Sequence, residues 1–251
     1  MNRHAFVLLG LSLTVQACQT AQPSLERQSE SLIFGEVDQG HPEAVALTRG
    51  GHAFCTGTLI SPRVVATAAH CVDMLAGDPQ VTIFFGTDIE GDGVKIAVQD
   101  TVAHPMWTGN LSGGHDVGML LMEFPIAPEV ATPVPLSHFD MSEQIGTAID
   151  RVGFGIYDAD TRAQDGKKRS GFTTVTSVPS GGDTFIAGDA DLITCQGDSG
   201  GPAFMTIEGT TYLAGVHSFG IEGCRSAQNG DTRVELYADD FILPWIQEND
   251  G

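Results

Sequence analysis

Short apolar runs rich in Val, Ile, Thr and Phe recur along this chain, broken each time by Gly, Asp, Asn or Ser. In the first half the clearest are Ala44–Leu47, Thr56–Ile60, Val64–Ala68, Val81–Phe85 and Met119–Phe124. In the second they are Ala148–Phe154, Phe172–Ser177, Thr184–Ile186, Pro202–Ile207, Thr211–Ser218 and Arg233–Leu236. Runs this short, with turn residues between them, build an all-β sandwich or barrel rather than a βαβ architecture. A Pro-rich crossing, Pro125 to Pro135 (PIAPEVATPVP), divides the runs into two groups. Tyr237 to Gln247 reads as a C-terminal helix, with Pro244 tolerated near a first turn or at a kink. At 251 residues and 41% hydrophobic content the chain can bury a sizeable core.

The start of the chain has another texture. A short basic beginning (MNRH) precedes Ala5 to Val15 (AFVLLGLSLTV), an apolar stretch too short for a permanent membrane span. Residues 1–17 therefore read as a bacterial signal peptide. The stretch ends Val15-Gln16-Ala17-Cys18, which resembles a lipobox, where cleavage before the cysteine leaves it to carry lipid. Cys18 is thus expected to anchor the protein to a bacterial membrane, with simple secretion after Ala17 as the alternative. Residues 18–32 are polar and read as a tether or propeptide. Of the five cysteines, four lie in residues 33–251 and can form two pairs, which leaves Cys18 over and implies an oxidising, extracytoplasmic compartment.

Charge removes one class of partner. The 32 acidic residues outnumber the 12 basic ones, for a formal net charge of −20, so a nucleic acid would meet a repulsive field. The acidic excess reads as a solvated surface.

Two segments carry chemistry. Thr67-Ala68-Ala69-His70-Cys71 closes an apolar run with small residues and presents an imidazole; alone this is weak, since a histidine beside a cysteine is often structural or metal-binding. Cys195-Gln196-Gly197-Asp198-Ser199-Gly200-Gly201-Pro202 is far more specific. It sets a serine among glycines that permit a tight turn, with backbone N–H groups directed at the nucleophile as an oxyanion hole.

With these two segments the chain resembles the trypsin/chymotrypsin family of serine proteases, from Ile33 to about Gln247. The resemblance implies two six-stranded antiparallel β-barrels, about 33–130 and 136–240, with a short C-terminal helix. It also implies an aspartate between the two motifs, which His115-Asp116-Val117-Gly118-Met119 supplies, and so a triad of His70, Asp116 and Ser199. The N–H groups of Gly197 and Ser199 would hold the oxyanion, and Cys55–Cys71 and Cys195–Cys224 would be the disulfides. Members of the family mature when a freed N-terminus pairs with the aspartate before the catalytic serine. Here those residues would be Ile33 and Asp198, although Phe34, Glu36 and the preceding Leu32 depart from the usual pattern.

By the same resemblance Ile193 forms the floor of the specificity pocket and Thr194 its wall, while Ser218, Phe219 and Gly220 form the strand that pairs with substrate. An isoleucine floor predicts an apolar residue at P1, the substrate position before the scissile bond. Asn229, Gly230 or Asp231 would line the back wall, and an inward Asp231, with Glu222 at the rim, would instead favour a basic P1 residue. Asp88, Glu90 and Asp92 lie where some relatives hold calcium, yet three acids among glycines read as a solvated loop, and neither metal nor cofactor is expected. The expected molecule is a monomeric endopeptidase acting on proteins or peptides. Two alternatives stand beside it. An α/β-hydrolase esterase also uses G-x-S-x-G but orders its triad differently. A protease-like binding protein would keep the fold without activity.

Overall fold

In the computed structural model, which describes residues 35–75, 78, 80–188, 192–221 and 224–250, the apolar runs become strands of two barrels. A two-residue strand, β1 (Glu36–Val37), leads into β2 (Ala44–Arg49), β3 (His52–Leu59) and β4 (Val64–Thr67). A short helix, α1 (Ala69–Leu75), follows, then β5 (Val81–Gly86), β6 (Gly93–Ala103) and β7 (Gly118–Met122). Strands β2-β3-β4-β7-β6-β5 close into a barrel through antiparallel pairing of β5 with β2.

The second half contributes β8 (Ala148–Gly153), β9 (Arg169–Ser177), β10 (Thr184–Ala187), β11 (Pro202–Ile207), β12 (Thr210–Gly220) and β13 (Asn229–Arg233). These six strands run β9-β10-β13-β12-β11-β8 and close by pairing β8 with β9, while β1 adds to the outside of β9. The fold is thus two closed six-stranded antiparallel barrels and a short C-terminal helix, α2 (Leu243–Asn249). Pro244 sits in the first turn of α2, just after helical backbone at Ile242, so its missing N–H interrupts the ladder where two helical segments join. A wider π-helical turn, Ala238–Ile242, occupies the stretch before it.

Leu47, Leu59, Val65, Ile83 and Leu120 are fully buried in the first barrel, and the same apolar cluster runs on through Phe204, Leu213, Val216, Val234 and Ile242. The barrels therefore share an interface, and the segments carrying His70 and Ser199 meet there. Met141, Ile149, Val175, Phe185 and Met205 fill the second barrel.

Besides the two-residue β1, two strands depart from the sequence reading. β6 has no apolar run because most of it is exposed or half-exposed, with Ile96 its one buried side chain. β13 begins at Asn229, and Val234–Leu236 forms a 3-10 turn after it. Its five residues are all buried though polar or glycine, so hydropathy does not mark it.

Candidate active site

His70 stands in the first turn of α1, whose start is set by the Ala68 carbonyl accepting the N–H groups of Cys71 and Val72. The small residues before it leave room for the serine loop. Gly200, at φ +79°, packs so closely that a Cβ there would lie 2.0 Å from Thr67 Oγ1 and 2.5 Å from the Thr56 carbonyl. Gly197, at φ +101°, is in a conformation that costs an L-residue energy, and a Cβ would lie 2.7 Å from Gly155 Cα. The glycines of the serine motif are thus steric requirements of this loop.

Asp116 precedes β7 and is 2% exposed. Its Oδ1 accepts the backbone N–H of His70 at 2.9 Å, its Oδ2 faces His70 Nδ1 at 2.8 Å, and Ser218 Oγ donates to Oδ2 at 2.5 Å. His115, beside it, has φ +62°. That backbone is held by the His115 N–H donating to Asp183 Oδ2 at 2.5 Å, and Tyr237 Oη donates to the same oxygen at 2.7 Å.

Ser199 lies between the barrels, with its carbonyl accepting the Thr56 N–H at 2.8 Å. Thr56 Oγ1 donates to the Gly197 carbonyl at 2.8 Å, which fixes the peptide on the other side of Asp198. Among the described residues, neither the Gly197 nor the Ser199 N–H has an acceptor in the protein. A cleft of about 270 Å³ is lined by His70, Ser199, Thr194, His217, Phe219 and Gly220, among others.

Asp198 is turned away from this cleft and buried. Its oxygens accept the Gly155 N–H at 2.8 Å and the Cys195 N–H at 2.9 Å. Burial pushes its carboxyl up to about 6 in spite of those bonds. Ile33 lies outside the described residues, as do Cys18 and Glu222. Asp38 and His41 are tied to the second barrel. His41 Nδ1 meets Asp38 Oδ1 at 2.9 Å, His41 Nε2 meets Asp150 Oδ2 at 3.4 Å, and the buried Lys168 Nζ donates to the carbonyls of His41 and Ala44. The Asp38 hydrogen bond holds the His41 imidazole above its ordinary range, and burial pushes the Asp150 carboxyl up to about 6.

The two disulfides join Cys55 to Cys71 and Cys195 to Cys224. His70 lies near the first pair, whose sulfurs are spent in the bridge and cannot serve as thiolate ligands. Asp88 caps its own exposed turn, accepting the Glu90 N–H at 3.0 Å, with Asp92 farther along the same turn.

Ser218, Phe219 and Gly220 line the cleft at the end of β12, where the Phe219 ring lies against Gly230. Ile193 packs with Ile156, Cys195 and Cys224 and is not among the residues lining the described cleft, whereas Thr194 and His217 are. Asp231 is fully buried and gripped by Arg151, with Nη1 donating to Oδ1 at 2.6 Å and Nη2 to Oδ2 at 2.5 Å. It is not free to meet a basic substrate side chain. Asn229 Oδ1 accepts from Thr194 Oγ1 at 2.5 Å. The roles of Arg151 and His217 escape sequence reading because these residues lie on separate strands and no local motif joins them.

Comparison with known proteins bears on the family and the fold. Chymotrypsin-like elastase family member 1 from Felis catus is 29% identical over 221 residues, covering 76% of this chain and 77% of the relative. The Bos taurus protein of the same name is 29% identical over 268 aligned positions, covering 86% and 94%. The structure of neuropsin, a serine protease expressed in the limbic system of mouse brain, superposes with a TM-score of 0.69 at 21% identity, over 84% of this chain and 96% of that one. With the family model described as Trypsin matching residues 33–242, the chain belongs to the trypsin-like serine protease family.

Proposed function

We propose that the protein is an active serine endopeptidase with a preference for non-basic P1 residues. The observation that carries this is the doubly held Asp116, which grips both the backbone and Nδ1 of His70 in the cleft that Ser199 lines. With Nδ1–H bound to Asp116, Nε2 of the neutral imidazole is the acceptor. Ser199 Oγ attacks the scissile carbonyl as its proton passes to His70 Nε2, and the carbonyl oxygen becomes an anion held by the Gly197 and Ser199 N–H groups. Collapse expels the amine, which takes the proton from His70 and leaves an acyl-enzyme. Water, deprotonated by His70 in turn, releases the acid and restores Ser199. Losing one oxyanion donor in such a site costs about 3–4 kcal/mol.

The proposal includes activation by cleavage before Ile33, which the buried Asp198 supports. A carboxylate this deep needs a cation, and the ammonium of a chain cut before Ile33 would supply one. The engaged Asp231 supports the non-basic preference. Export is supported by the two disulfides, with residues 1–17 as signal peptide, 18–32 as tether or propeptide and Cys18 as the lipid carrier. Incubation with an unfolded protein substrate tests the reading. Internal cleavage that disappears in Ser199→Ala is expected, and equal cleavage by that variant would overturn it.

A further inference from the structure

His217 takes no part in the reaction above, yet it lines the same cleft as Ser199. It lies on β12, one residue before Ser218, and is 4% exposed. Behind it stand Arg151 of β8 and Asp231 of β13, 1% and 0% exposed. His217 Nδ1 lies 3.4 Å from Arg151 Nη1 and 3.5 Å from Asp231 Oδ1. Arginine keeps its protons, and the Asp231 oxygen nearest Nδ1 is already taken by Arg151 at 2.6 Å, so Nδ1 accepts from Arg151 and the neutral imidazole carries its hydrogen on Nε2. A protonated imidazole carries one there too. In either state Nε2 is a donor, on the side of the ring away from the ion pair.

The other groups leave this donor alone. Thr194 gives its hydroxyl hydrogen to Asn229, and Ser218 gives its own to Asp116. Of the buried side chains lining the cleft, His217 therefore retains a hydrogen to offer a substrate. Burial and then the charges of Arg151 and His70 hold the imidazole below its ordinary range, while Asp231 opposes them, so the empty site favours the neutral ring. Burial works to raise the Asp231 carboxyl, but Arg151 holds it below the usual range, so the Arg151–Asp231 pair is charged and self-compensated.

We propose that His217, oriented by the Arg151–Asp231 pair, selects a P1 side chain that ends in a carboxylate, making the enzyme specific for acidic residues. This rests on Ser199 being the nucleophile and narrows the non-basic preference argued above. A carboxylate would accept a charge-assisted bond from Nε2–H and draw a proton onto the ring. His217 and Arg151 would then balance Asp231 and the substrate. A glutamine could accept the same hydrogen bond without the charge. A leucine would leave Nε2–H dry and unpaired, and a lysine would meet a donor backed by a neutralised aspartate.

Peptides that differ only at P1 test this, with kcat/KM compared for Glu, Gln, Leu and Lys. Glu is expected to exceed Leu and Lys by about tenfold or more, with Gln between. His217→Val should reduce the Glu-to-Leu ratio by about tenfold, and His217→Gln, which keeps an N–H donor, should keep Glu ahead. Leu or Lys matching Glu in the unmutated protein would overturn the inference whether or not the variants fold. Binding of peptides with C-terminal Glu or Leu to Ser199→Ala, followed by calorimetry, separates this from the catalytic reading. Tighter binding of the Glu peptide supports the inference even if no peptide is cleaved, and equal binding overturns it.

Discussion

Asp116 holds three hydrogen bonds on one buried carboxylate, two from His70 and one from Ser218, and each does a different task. The first ties the carboxylate to α1, the second sets the imidazole, and the third fixes the oxygen that faces it. Asp116→Asn should lower kcat by about 10⁴-fold, because an amide in that place favours the wrong tautomer. Ser218→Ala removes one bond to a charged group, worth about 1.5–3 kcal/mol, and should lower kcat by about tenfold or more. Single-turnover rates for the two variants check the ranking; an equal loss in both would contradict it. Asp198 makes a pH prediction. Its carboxyl is raised from 3.8 to about 6 in the folded protein, so the folded state holds that proton more tightly than the unfolded chain. The burden of its charge starts as pH rises past 4, is fully present above 6, and is on the order of 3 kcal/mol. In the uncleaved protein, Asp198→Asn should therefore add stability at pH 7 but not at pH 4, as read from urea unfolding at both pH values. A gain of the same size at both would count against the raised carboxyl. His70, Asp116 and Ser199 are legible in the sequence because two of them sit in local motifs that sterics force. His217, Arg151 and Asp231 are not, since Arg151 stands 66 and 80 positions from its two partners.

At the level of elements, the site depends on loops rather than on strands, and the disulfides fasten those loops. Cys55–Cys71 ties β3 to α1 across 16 positions, and Cys195–Cys224 ties the serine loop to the chain before β13 across 29. Replacing the first pair by serines should cost about 3 kcal/mol of stability, and the second a little more because its loop is longer. Urea midpoints that do not move in either double variant would contradict this. Cys195 and Cys224 also line the cleft, so the second variant should lose activity out of proportion to its stability. Strands buried along most of their length, such as β2 and β5, announce themselves by a continuous apolar run. β6 and β13 do not, because β6 is mostly outside the core and β13 buries polar side chains that only tertiary partners satisfy.

For the whole molecule, the two barrels share the apolar interface that brings α1, the Asp116 segment and the serine loop together. Neither half holds all three residues of the proposed triad, so activity should vanish when the halves part. The net charge of −20 sets a field that repels anionic substrates at a distance even though the cleft offers a donor close by. The rate constant kcat/KM for a Glu peptide should accordingly rise between about 10 and 150 mM salt, where screening shortens from about 30 to 8 Å. A fall over that range would place the dominant attraction at long range instead. The central claim is that Ser199 is a nucleophile activated by His70, and reaction with a fluorophosphonate followed by peptide mass mapping addresses it most directly. The arrangement of Asp116, His70 and Ser199 predicts one adduct per chain, on Ser199, formed by the protein cut before Ile33 and lost in His70→Ala. A folded, cut protein that takes no adduct, or takes it on another residue, would contradict that claim and leave a binding protein on a protease fold.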